Sequence, residues 1–344
     1  MKLKPVSQQN ILITGATSGI GLTTARMAAK RGASLGLIAR NEQALNELCE
    51  ELRSVGCRAV GAAADVGDAG QFRRAAQQIA QELGTIDTWV NNAGVSVYGR
   101  IMEVPTEDMR QLFDTNLWGV VNGSKLGVEY LRSNGGALIN LGSEVSDAAI
   151  PLQGIYTASK HAVKGFTDSL RMELEADKLP ISVTLIQPTA IDTPYPENAK
   201  NYLPYEPTLP APLYAPELVA EAILHCAENQ VPTFFVGDMS KINTALSHYA
   251  PQTMAKVQES VIDSLQNSGK PASPGRNDGL YDTNSQLRER GNDEGRFVVE
   301  NSPYQTAMLH PTLTKSLLIG GGLAIAALVA NNLRQSGSSA SQVH

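Results

Sequence analysis

Short apolar runs alternate with helical stretches along most of this chain, and that alternation constrains its fold more than any other feature. Runs with strand character lie at residues 10–14, 34–39, 58–64, 88–90, 137–141, 182–187 and 233–236. Helical stretches lie between them, at residues 20–31, 42–55, 71–83, 106–117, 156–177 and 216–229. Parallel strands need long crossover connections, which helices usually supply. The alternation therefore predicts an α/β fold: a doubly wound parallel sheet of about seven strands with helices on both faces.

A glycine-rich turn joins the first predicted strand to the first predicted helix. It reads Gly15-Ala16-Thr17-Ser18-Gly19-Ile20-Gly21 and directly follows Thr14. Glycines permit a tight turn and let backbone N–H groups approach a diphosphate, and the helix N-terminus adds a favourable dipole. The spacing G-x-x-x-G-x-G differs from the common G-x-G-x-x-G fingerprint. This context predicts a nucleotide site, and the alternative is a plain strand-to-helix turn.

The end of the second predicted strand bears on the choice of nucleotide. Many NAD-binding folds carry an acidic residue there, which binds the ribose 2′-hydroxyl. This chain instead reads Ala39-Arg40-Asn41, with no carboxylate. An arginine suits a 2′-phosphate, because it can form charge-assisted hydrogen bonds with the phosphate oxygens. Arg40 therefore favours NADP(H) over NAD(H), and the alternative is a solvated arginine at the start of a helix.

A tyrosine and a lysine four residues apart, Tyr156 and Lys160, form the candidate catalytic pair. The spacing puts both side chains on one face of the predicted helix. An ammonium group near a phenol lowers the phenol's pKa from its reference value of about 10. The pair can then exchange a proton with a hydroxyl or carbonyl oxygen. Such a pair also occurs by chance in many helices, so it gains weight only from the other motifs.

Taken together, these motifs resemble the short-chain dehydrogenase/reductase (SDR) family over roughly Asn10 to Gly237. The resemblance rests on the order and spacing of Thr14 to Gly21, Asp65, Asn91-Asn92-Ala93-Gly94, Asn116, Ser143, Tyr156 and Lys160. It implies a Rossmann-like domain with a nicotinamide cofactor, a homo-oligomer and a catalytic tetrad. The tetrad would comprise Asn116, Ser143, Tyr156 and Lys160.

The resemblance also implies a role for each tetrad member. Tyr156 would be the general acid in reduction and the general base in oxidation. Lys160 would lower the pKa of that tyrosine and hold the nicotinamide ribose, and Ser143 would bind the substrate oxygen. Asn116 would hold a water behind Lys160. As an asparagine in a predicted helix interior, Asn116 has poor propensity, so it either caps a kink or performs a task.

A longer set of residues would bind the cofactor. It comprises Thr14, Gly15, Thr17, Ser18, Gly19, Ile20, Gly21, Arg40, Asp65, Val66, Asn92, Ala93, Gly94, Tyr156, Lys160, Pro188 and Thr193. The chain departs from the family pattern at two of these positions. Ser18 replaces a basic residue that some members carry before the second glycine, and the family's Pro-Gly reads Pro188-Thr189.

The implied function is hydride transfer between NADP(H) and a small carbonyl or alcohol substrate that is partly hydrophobic. Because fold does not fix function, a non-redox enzyme such as an epimerase or dehydratase stays open. A cofactor-binding scaffold without turnover is the third alternative, although such a module would not need Tyr156 and Lys160 together.

Composition and charge exclude other classes of function. The net charge is -6 and no basic stripe is present, which argues against a nucleic-acid binder. Cys49, Cys57 and Cys226 are scattered and form no ligand set, so we expect no metal site. Residues 1–10 lack the apolar stretch of a signal peptide, so we expect a cytoplasmic catalytic domain.

The chain continues well beyond the predicted sheet. We expect a catalytic domain with a proline- and tyrosine-rich substrate loop, a helical extension broken at Pro251, a flexible linker, a hydrophobic helix and a polar tail. Their predicted bounds are 1–238 with the loop at 189–215, then 239–266, 267–312, 313–333 and 334–344. The run from Leu317 to Ala330 has no polar side chain but is shorter than the ~20 residues that span a bilayer. A membrane anchor is slightly favoured over a docking helix.

Overall fold

The structure is a computed structural model, and it describes residues 2–273, 275–276, 278–283, 287–292 and 295–309. Its strands are β1 Asn10–Thr14, β2 Ser34–Ala39, β3 Ala59–Ala63, β4 Thr88–Asn91, β5 Val97–Tyr98, β6 Gly136–Leu141, β7 Ile181–Pro188, β8 Lys200–Asn201, β9 Tyr205–Pro207, β10 Leu213–Tyr214, β11 Thr233–Val236, β12 Asn267–Pro271 and β13 Val298–Val299. Its α-helices are α1 Gly19–Lys30, α2 Glu42–Ser54, α3 Ala69–Leu83, α4 Thr106–Phe113, α5 Gly119–Leu131, α6 Gly154–Ala176, α7 Tyr195–Asn198, α8 Pro216–Glu228, α9 Asp238–Tyr249, α10 Pro251–Leu265 and α11 Pro303–Leu309. A π-helical turn, Asp114–Trp118, joins α4 to α5.

A parallel sheet forms the centre of the fold. Within the described ranges it has seven strands, in the order β3-β2-β1-β4-β6-β7-β11. All residues of β4, β6 and β7 are buried, as expected for parallel strands that are covered on both faces. This architecture confirms the predicted doubly wound, Rossmann-like α/β fold.

Helices cover both faces of the sheet. On one face, α3, α5 and α6 bury side chains such as Phe72, Leu126 and Leu174 in a core that includes Trp89 of β4. The helices α1 and α8 pack against each other on the opposite face, and Arg31 and Glu221 form an ion pair of 2.9 Å between them. The two layers hold the sheet rigidly, so its strand ends are fixed positions for functional side chains.

The strand order reverses direction at β1, which lies between β2 and β4. The chain leaves β1 toward one face of the sheet and leaves β4 toward the other. A crevice therefore opens at the carboxyl ends of these two strands, where ligands bind in open α/β sheets. The glycine turn follows β1 at this edge, and Asn92 follows β4.

The stretch predicted as a substrate loop is partly ordered into short elements. It contains α7, β8, β9 and β10, and β8 pairs in parallel with β5 of the catalytic domain. Residues 239–266 that follow the sheet hold α9 and α10, which are separated at Ala250. Both stretches lie next to the carboxyl edge of the sheet, because they directly follow β7 and β11.

The structure differs from the sequence prediction at residues 267–301, which we expected to be a flexible linker. Here β12 pairs with β9, and β13 pairs with β10. Leu280 is fully buried, and the Arg276 guanidinium donates to the backbone carbonyls of Pro196, Glu197 and Ala199. The polar composition predicted flexibility because it lacks a core of its own. Among its described residues, β12 and β13 instead pair with strands of the substrate loop, and composition does not reveal such long-range contacts.

The first compact unit ends at Asn301, and α11 belongs to the second, which begins at Ser302. None of the helices in the part of the chain that the structure describes is long and apolar enough to cross a bilayer. The hydrophobic stretch predicted at 313–333 lies outside the described residues, as does the tail at 334–344. The membrane anchor therefore stays a prediction.

Candidate active site

The glycine turn places the N-terminus of α1 at the crevice. Gly15 and Gly19 adopt φ angles of 66° and 50°, in the left-handed region that favours glycine. A Cβ atom on Gly21 would lie 2.2 Å from the Gly15 carbonyl oxygen, so only glycine fits there. Among the first N–H groups of α1, that of Leu22 donates to the Ser18 carbonyl, whereas those of Ile20 and Gly21 have no helical acceptor. The turn therefore offers backbone donors and a helix dipole to an anion.

Thr14 and Asn92 join this turn to the end of β4. The Thr14 hydroxyl accepts hydrogen bonds from the N–H groups of Asn92 and Ala93, at 3.0 and 3.1 Å. The Asn92 amide donates to the carbonyls of Thr14 and Gly15. Both side chains thus act on the backbone of the crevice and hold its two sides at a fixed separation.

Arg40 lies at the end of β2, where the sequence placed it, and lines the crevice. Its Nη2 donates to the carbonyls of Gly279 and Asp282, and its Nη1 donates to that of Leu280 at 3.2 Å. These hydrogen bonds occupy three of the five guanidinium N–H groups. The N–H group of Nε and one N–H group of Nη1 remain for another acceptor. The sequence did not indicate that a distant segment would hold this arginine.

One cavity of about 320 Å³ brings together most of the predicted site residues. Its wall includes Gly15, Thr17, Ser18, Gly19, Ile20, Arg40, Val66, Asn92, Ala93, Gly94, Ser143, Tyr156, Lys160, Pro188 and Thr193. Thr14, Gly21 and Asn116 are buried behind the wall, and the Asp65 carboxylate accepts a hydrogen bond from Gly67 N–H at 2.8 Å. The cavity thus connects the glycine turn at one end with Tyr156 at the other.

Tyr156 lies in the first turn of α6, and its surroundings change its acidity. Burial raises the pKa of Tyr156 to about 12, and hydrogen bonds with Tyr195 and Ser143 lower it only in part. The ring centroids of Tyr156 and Tyr195 are 5.5 Å apart. The phenol therefore holds its proton at neutral pH, which suits a proton donor.

Lys160 lies one turn further along α6, as the four-residue spacing predicted. Its Nζ is 5.7 Å from the Tyr156 ring centroid and donates to the Leu141 carbonyl at 2.8 Å. Burial lowers the pKa of Lys160 to about 8. From the spacing alone, the ammonium is expected to lower the pKa of Tyr156. In the structure burial dominates, because the loss of hydration destabilises the phenolate by more than the nearby ammonium stabilises it.

Asn116 lies in the π-helical turn between α4 and α5. It is fully buried, and its amide donates to the Val95 carbonyl and the Ser159 hydroxyl at 3.0 and 3.1 Å. Its Oδ1 accepts from Val95 N–H at 2.8 Å. The asparagine thus coincides with a helix irregularity, and it joins the chain after β4 to the helix that carries Tyr156.

Ser143 follows β6 and precedes a half-buried acid that sequence reasoning missed. The side chain of Ser143 accepts a hydrogen bond from Val145 N–H and caps the turn Glu144–Ser146. Glu144 lines the cavity, and its Oε2 accepts bonds from Thr189 Oγ1 and Asn243 Nδ2 at 2.9 and 3.0 Å. Burial raises the pKa of Glu144, and these two bonds lower it in part. Its position directly after Ser143 was the available sequence signal.

A second missed group surrounds Tyr195. The Tyr195 hydroxyl donates a hydrogen bond within a cluster formed with Ser96 and Gln153, at 2.8 and 2.7 Å. Gln153 in turn donates to Gln266, which directly precedes β12. The tyrosines of the predicted substrate loop were the only signal for this cluster. Side-chain hydrogen bonds therefore connect the predicted substrate loop to the start of α6.

The described residues offer no candidate set of metal ligands. Within the described ranges no cluster of His, Cys, Asp and Glu side chains could hold a metal ion. Cys49, Cys57 and Cys226 are free and buried.

Comparison with known proteins decides the family. Residues 9–202 match the profile of the short chain dehydrogenases. The chain belongs to this family. SDR proteins are oxidoreductases that use a nicotinamide cofactor, so the chain is an SDR oxidoreductase that acts on a small-molecule substrate.

Two curated SDR relatives show how far the similarity extends. An uncharacterized oxidoreductase of Bacillus subtilis, YxnA, is 41% identical over 323 residues, which cover 93% of this chain and 90% of YxnA. The 11-beta-hydroxysteroid dehydrogenase A of Sesamum indicum is 38% identical over 192 residues, which cover 55% of this chain and 54% of the relative. The similarity to YxnA therefore extends past the end of the family profile and into the C-terminal part of the chain.

Two solved SDR structures share the fold. A short chain dehydrogenase from Burkholderia cenocepacia in complex with NADP has a TM-score of 0.63 at 25% identity, covering 74% of this chain and 99% of that one. An alcohol dehydrogenase from Thermococcus sibiricus, complexed with 5-hydroxy-NADP, has a TM-score of 0.59 at 25% identity, covering 66% and 95% of the two chains.

The half-buried Glu144 of this SDR protein gives a prediction about stability and pH. A raised folded-state pKa means that Glu144 binds its proton more tightly in the folded than in the unfolded chain. The free energy of unfolding therefore falls as pH rises through that pKa. Glu144→Gln keeps an oxygen for Thr189 and Asn243 but cannot ionise. We expect the Tm of the variant relative to wild type to rise by about 2 °C or more between about pH 5 and pH 8.

Thermal scans at several pH values test this expectation. Glu103→Gln, at an exposed position, is the matched control, and its Tm difference from wild type should stay constant with pH. A Tm difference for Glu144→Gln that is equally independent of pH would contradict a raised pKa at Glu144.

Proposed function

We propose that this chain is an NADP(H)-dependent oxidoreductase that interconverts a carbonyl compound and its alcohol, with Tyr156 as the proton donor. One observation carries the proposal. A single cavity is lined at one end by the glycine turn and Arg40, and at the other by Ser143, Tyr156 and Lys160. A nucleotide and a small substrate would thus meet beside a phenol that holds its proton.

The residues present fit a dinucleotide. The turn excludes a Cβ atom at Gly21, and the N–H groups of Ile20 and Gly21 are available at the start of α1. Arg40 carries N–H bonds for a 2′-phosphate, and both solved neighbours described above contain NADP or a derivative of it. When bound, the nicotinamide supplies the hydride for reduction or accepts it in oxidation.

Proton transfer would fall to Tyr156. Its pKa of about 12 keeps the phenol protonated, so it can donate to the oxygen of a carbonyl that is being reduced. Ser143 would donate a second hydrogen bond to the same oxygen and stabilise its developing charge. Ser143 lines the same cavity as Tyr156 and forms a side-chain hydrogen bond with it, which supports this pairing.

Lys160 would stabilise the phenolate that remains after donation. At pH values below about 8 it carries a positive charge, and its Nζ lies near the Tyr156 ring. Asn116 would act as a positioning residue through its bonds to Val95, which follows β4, and to Ser159, which precedes Lys160 in α6. We therefore propose these roles for the four residues that the family resemblance implied as a tetrad.

The substrate end of the cavity favours partly hydrophobic compounds. Its wall includes Val145, Ile150, Tyr195 and Leu209, beside the polar groups of Ser143 and Tyr156. A ketone or aldehyde with an apolar body fits this pattern, because its oxygen can meet the polar groups while the body packs on the apolar wall.

A substrate screen tests the proposed function. The purified full chain is mixed with NADPH or NADH and a panel of ketones and aldehydes, and loss of reduced-coenzyme absorbance is followed. Turnover that is faster with NADPH than with NADH supports the proposal. NADPH binding without turnover across the panel would favour a scaffold instead, and failure to bind either coenzyme would refute the proposal.

A further inference from the structure

Glu144 is the one acidic side chain among the described residues that line the cavity. It directly follows Ser143, and the apolar residues Val145 and Ile150 also line this end of the cavity. Burial is the main cause of the raised pKa of Tyr156, and the charge of Glu144 adds to it. The acid therefore lies close to the proposed reaction centre, yet hydride and proton transfer leave it without a role.

The protein fixes one oxygen of the Glu144 carboxyl group. Oε2 accepts hydrogen bonds from Thr189 Oγ1 at 2.9 Å and from Asn243 Nδ2 at 3.0 Å. Thr189 directly follows β7, and Asn243 lies in α9, so two separate elements hold the side chain. The carboxyl group thus has a defined position, which a group that recognises a ligand needs.

The second oxygen, Oε1, accepts no hydrogen bond from the residues that the structure describes. It is also not one of their fully buried side-chain atoms that lack a partner, so it retains accessible surface. Burial raises the pKa of Glu144, although the residue is only half-buried. A group that is deep in the protein and still accessible faces a cavity, and Glu144 lines the cavity that contains Tyr156.

An acceptor in this position distinguishes compounds by their hydrogen-bond donors. A carboxylate oxygen accepts hydrogen bonds and donates none, and a partly desolvated carboxylate is unfavourable without a donor. A substrate that covers Oε1 removes water from it, so a hydrogen bond is lost unless the substrate supplies a donor. A hydroxyl or ammonium group supplies one, whereas a methyl group of similar size does not.

We propose that Glu144 selects substrates with a hydroxyl or amino group on the carbon next to the carbonyl, through a hydrogen bond from that group to Oε1. The inference rests on the proposed function, since it assumes a carbonyl compound whose oxygen meets Ser143 and Tyr156. The Cα atoms of consecutive residues are about 3.8 Å apart, so the acceptor of Glu144 lies near the group that Ser143 binds. This proximity places the donor on the carbon next to the carbonyl.

The test compares two ketones that differ in one group. Propiophenone has a methyl group where α-hydroxyacetophenone has its hydroxyl, on the carbon next to the carbonyl. The kcat/KM of each ketone is measured with NADPH in the full chain, and the hydroxyl-to-methyl ratio is formed for wild type and for each variant. The intrinsic reactivity of the two ketones cancels when the ratios of two proteins are compared.

Glu144→Gln changes Oε1 and preserves the contacts of Oε2. The amide oxygen can accept from Thr189 and Asn243, which puts the amide nitrogen, a donor, where Oε1 was. The substrate hydroxyl then loses a charged acceptor and meets a neutral donor, so the hydroxyl-to-methyl ratio should fall by about fivefold. The lost charge also acts on Tyr156, but this effect is common to both ketones and cancels in the ratio.

Two further measurements sharpen the test. Glu144→Met has a side chain of similar length without an oxygen, so the ratio should fall by about tenfold or more. α-Aminoacetophenone places an ammonium group on the same carbon, and this group cannot accept from the amide of Glu144→Gln. Comparing its kcat/KM with that of α-hydroxyacetophenone in wild type shows whether the preferred donor is charged or neutral.

Asp147→Asn is the matched control. Asp147 follows the same turn and is also half-buried, but it does not line the cavity, and its Oδ2 accepts from Gln187 Nε2 at 2.6 Å. Asparagine keeps an oxygen for Gln187 and removes the charge. The hydroxyl-to-methyl ratio should therefore stay within about twofold of wild type.

The outcomes are distinguishable. A ratio within about twofold of wild type in folded Glu144→Gln and Glu144→Met would overturn the role of Glu144. Reduction of other ketones but of none of these three would also overturn it, because the substrate class would be wrong. If the wild-type chain reduces no carbonyl compound with either coenzyme, the proposed function itself fails, and this inference with it.

Discussion

Tyr156→Phe should lower kcat for carbonyl reduction by about 10²–10⁴-fold, while the Kd for NADPH changes by less than about twofold. The substitution removes one hydroxyl group and keeps the aromatic ring, which packs 5.5 Å from that of Tyr195. The phenol is the protonated acid at this end of the cavity, since burial raises its pKa to about 12. Losing it removes the proposed proton donor but leaves the glycine turn and Arg40 intact.

Steady-state kinetics with NADPH and a fluorescence titration check the two halves of this expectation separately. Tyr202→Phe is a matched control, because Tyr202 donates to Asp108 and its partly buried ring packs with Val97. Its kcat should stay close to that of wild type. If Tyr156→Phe retains a near-wild-type kcat, Tyr156 is not the proton donor and the mechanism proposed here is wrong.

Arg40→Ala should raise the Kd for NADPH by about tenfold or more, and that for NADH by a much smaller factor. The reason is charge: the 2′-phosphate loses a cationic partner, whereas the 2′-hydroxyl of NADH never had one. Some loss with both coenzymes is expected as well, because the carbonyls of Gly279, Leu280 and Asp282 also lose their donor. The quantity that tests the prediction is therefore the change in the Kd for NADPH divided by the change in the Kd for NADH.

Parallel titrations with the two coenzymes measure that ratio. Arg53→Ala is the matched control, since Arg53 also donates to a backbone carbonyl, that of Ala59, at 2.9 Å. It should leave the ratio unchanged. Equal losses of NADPH and NADH affinity in Arg40→Ala would show that this arginine positions residues 279–282 and does not select the coenzyme.

Local patterns in the sequence were sufficient to predict the sheet and much of the candidate site. The alternation of strand and helix periods predicted the seven-stranded parallel sheet that the described residues form. The glycine turn was predictable because strand, turn and helix are adjacent in sequence. Tyr156 and Lys160 were predictable because a spacing of four residues fixes a common helix face. Each of these features depends on neighbours within one or two helical turns.

Only the tertiary structure decided the features that depend on distant parts of the chain. The contact between Arg40 and Gly279 joins residues 239 positions apart, and the glycine turn meets Arg288 across a similar separation. Neither contact leaves a periodic pattern, and the polar composition of residues 267–301 indicated a flexible linker. The acidity of Tyr156 and Glu144 also depended on the fold, because burial sets the direction of both pKa shifts. Residue type and spacing determine where a group lies along the chain, whereas burial and partner atoms are known only once the chain is folded.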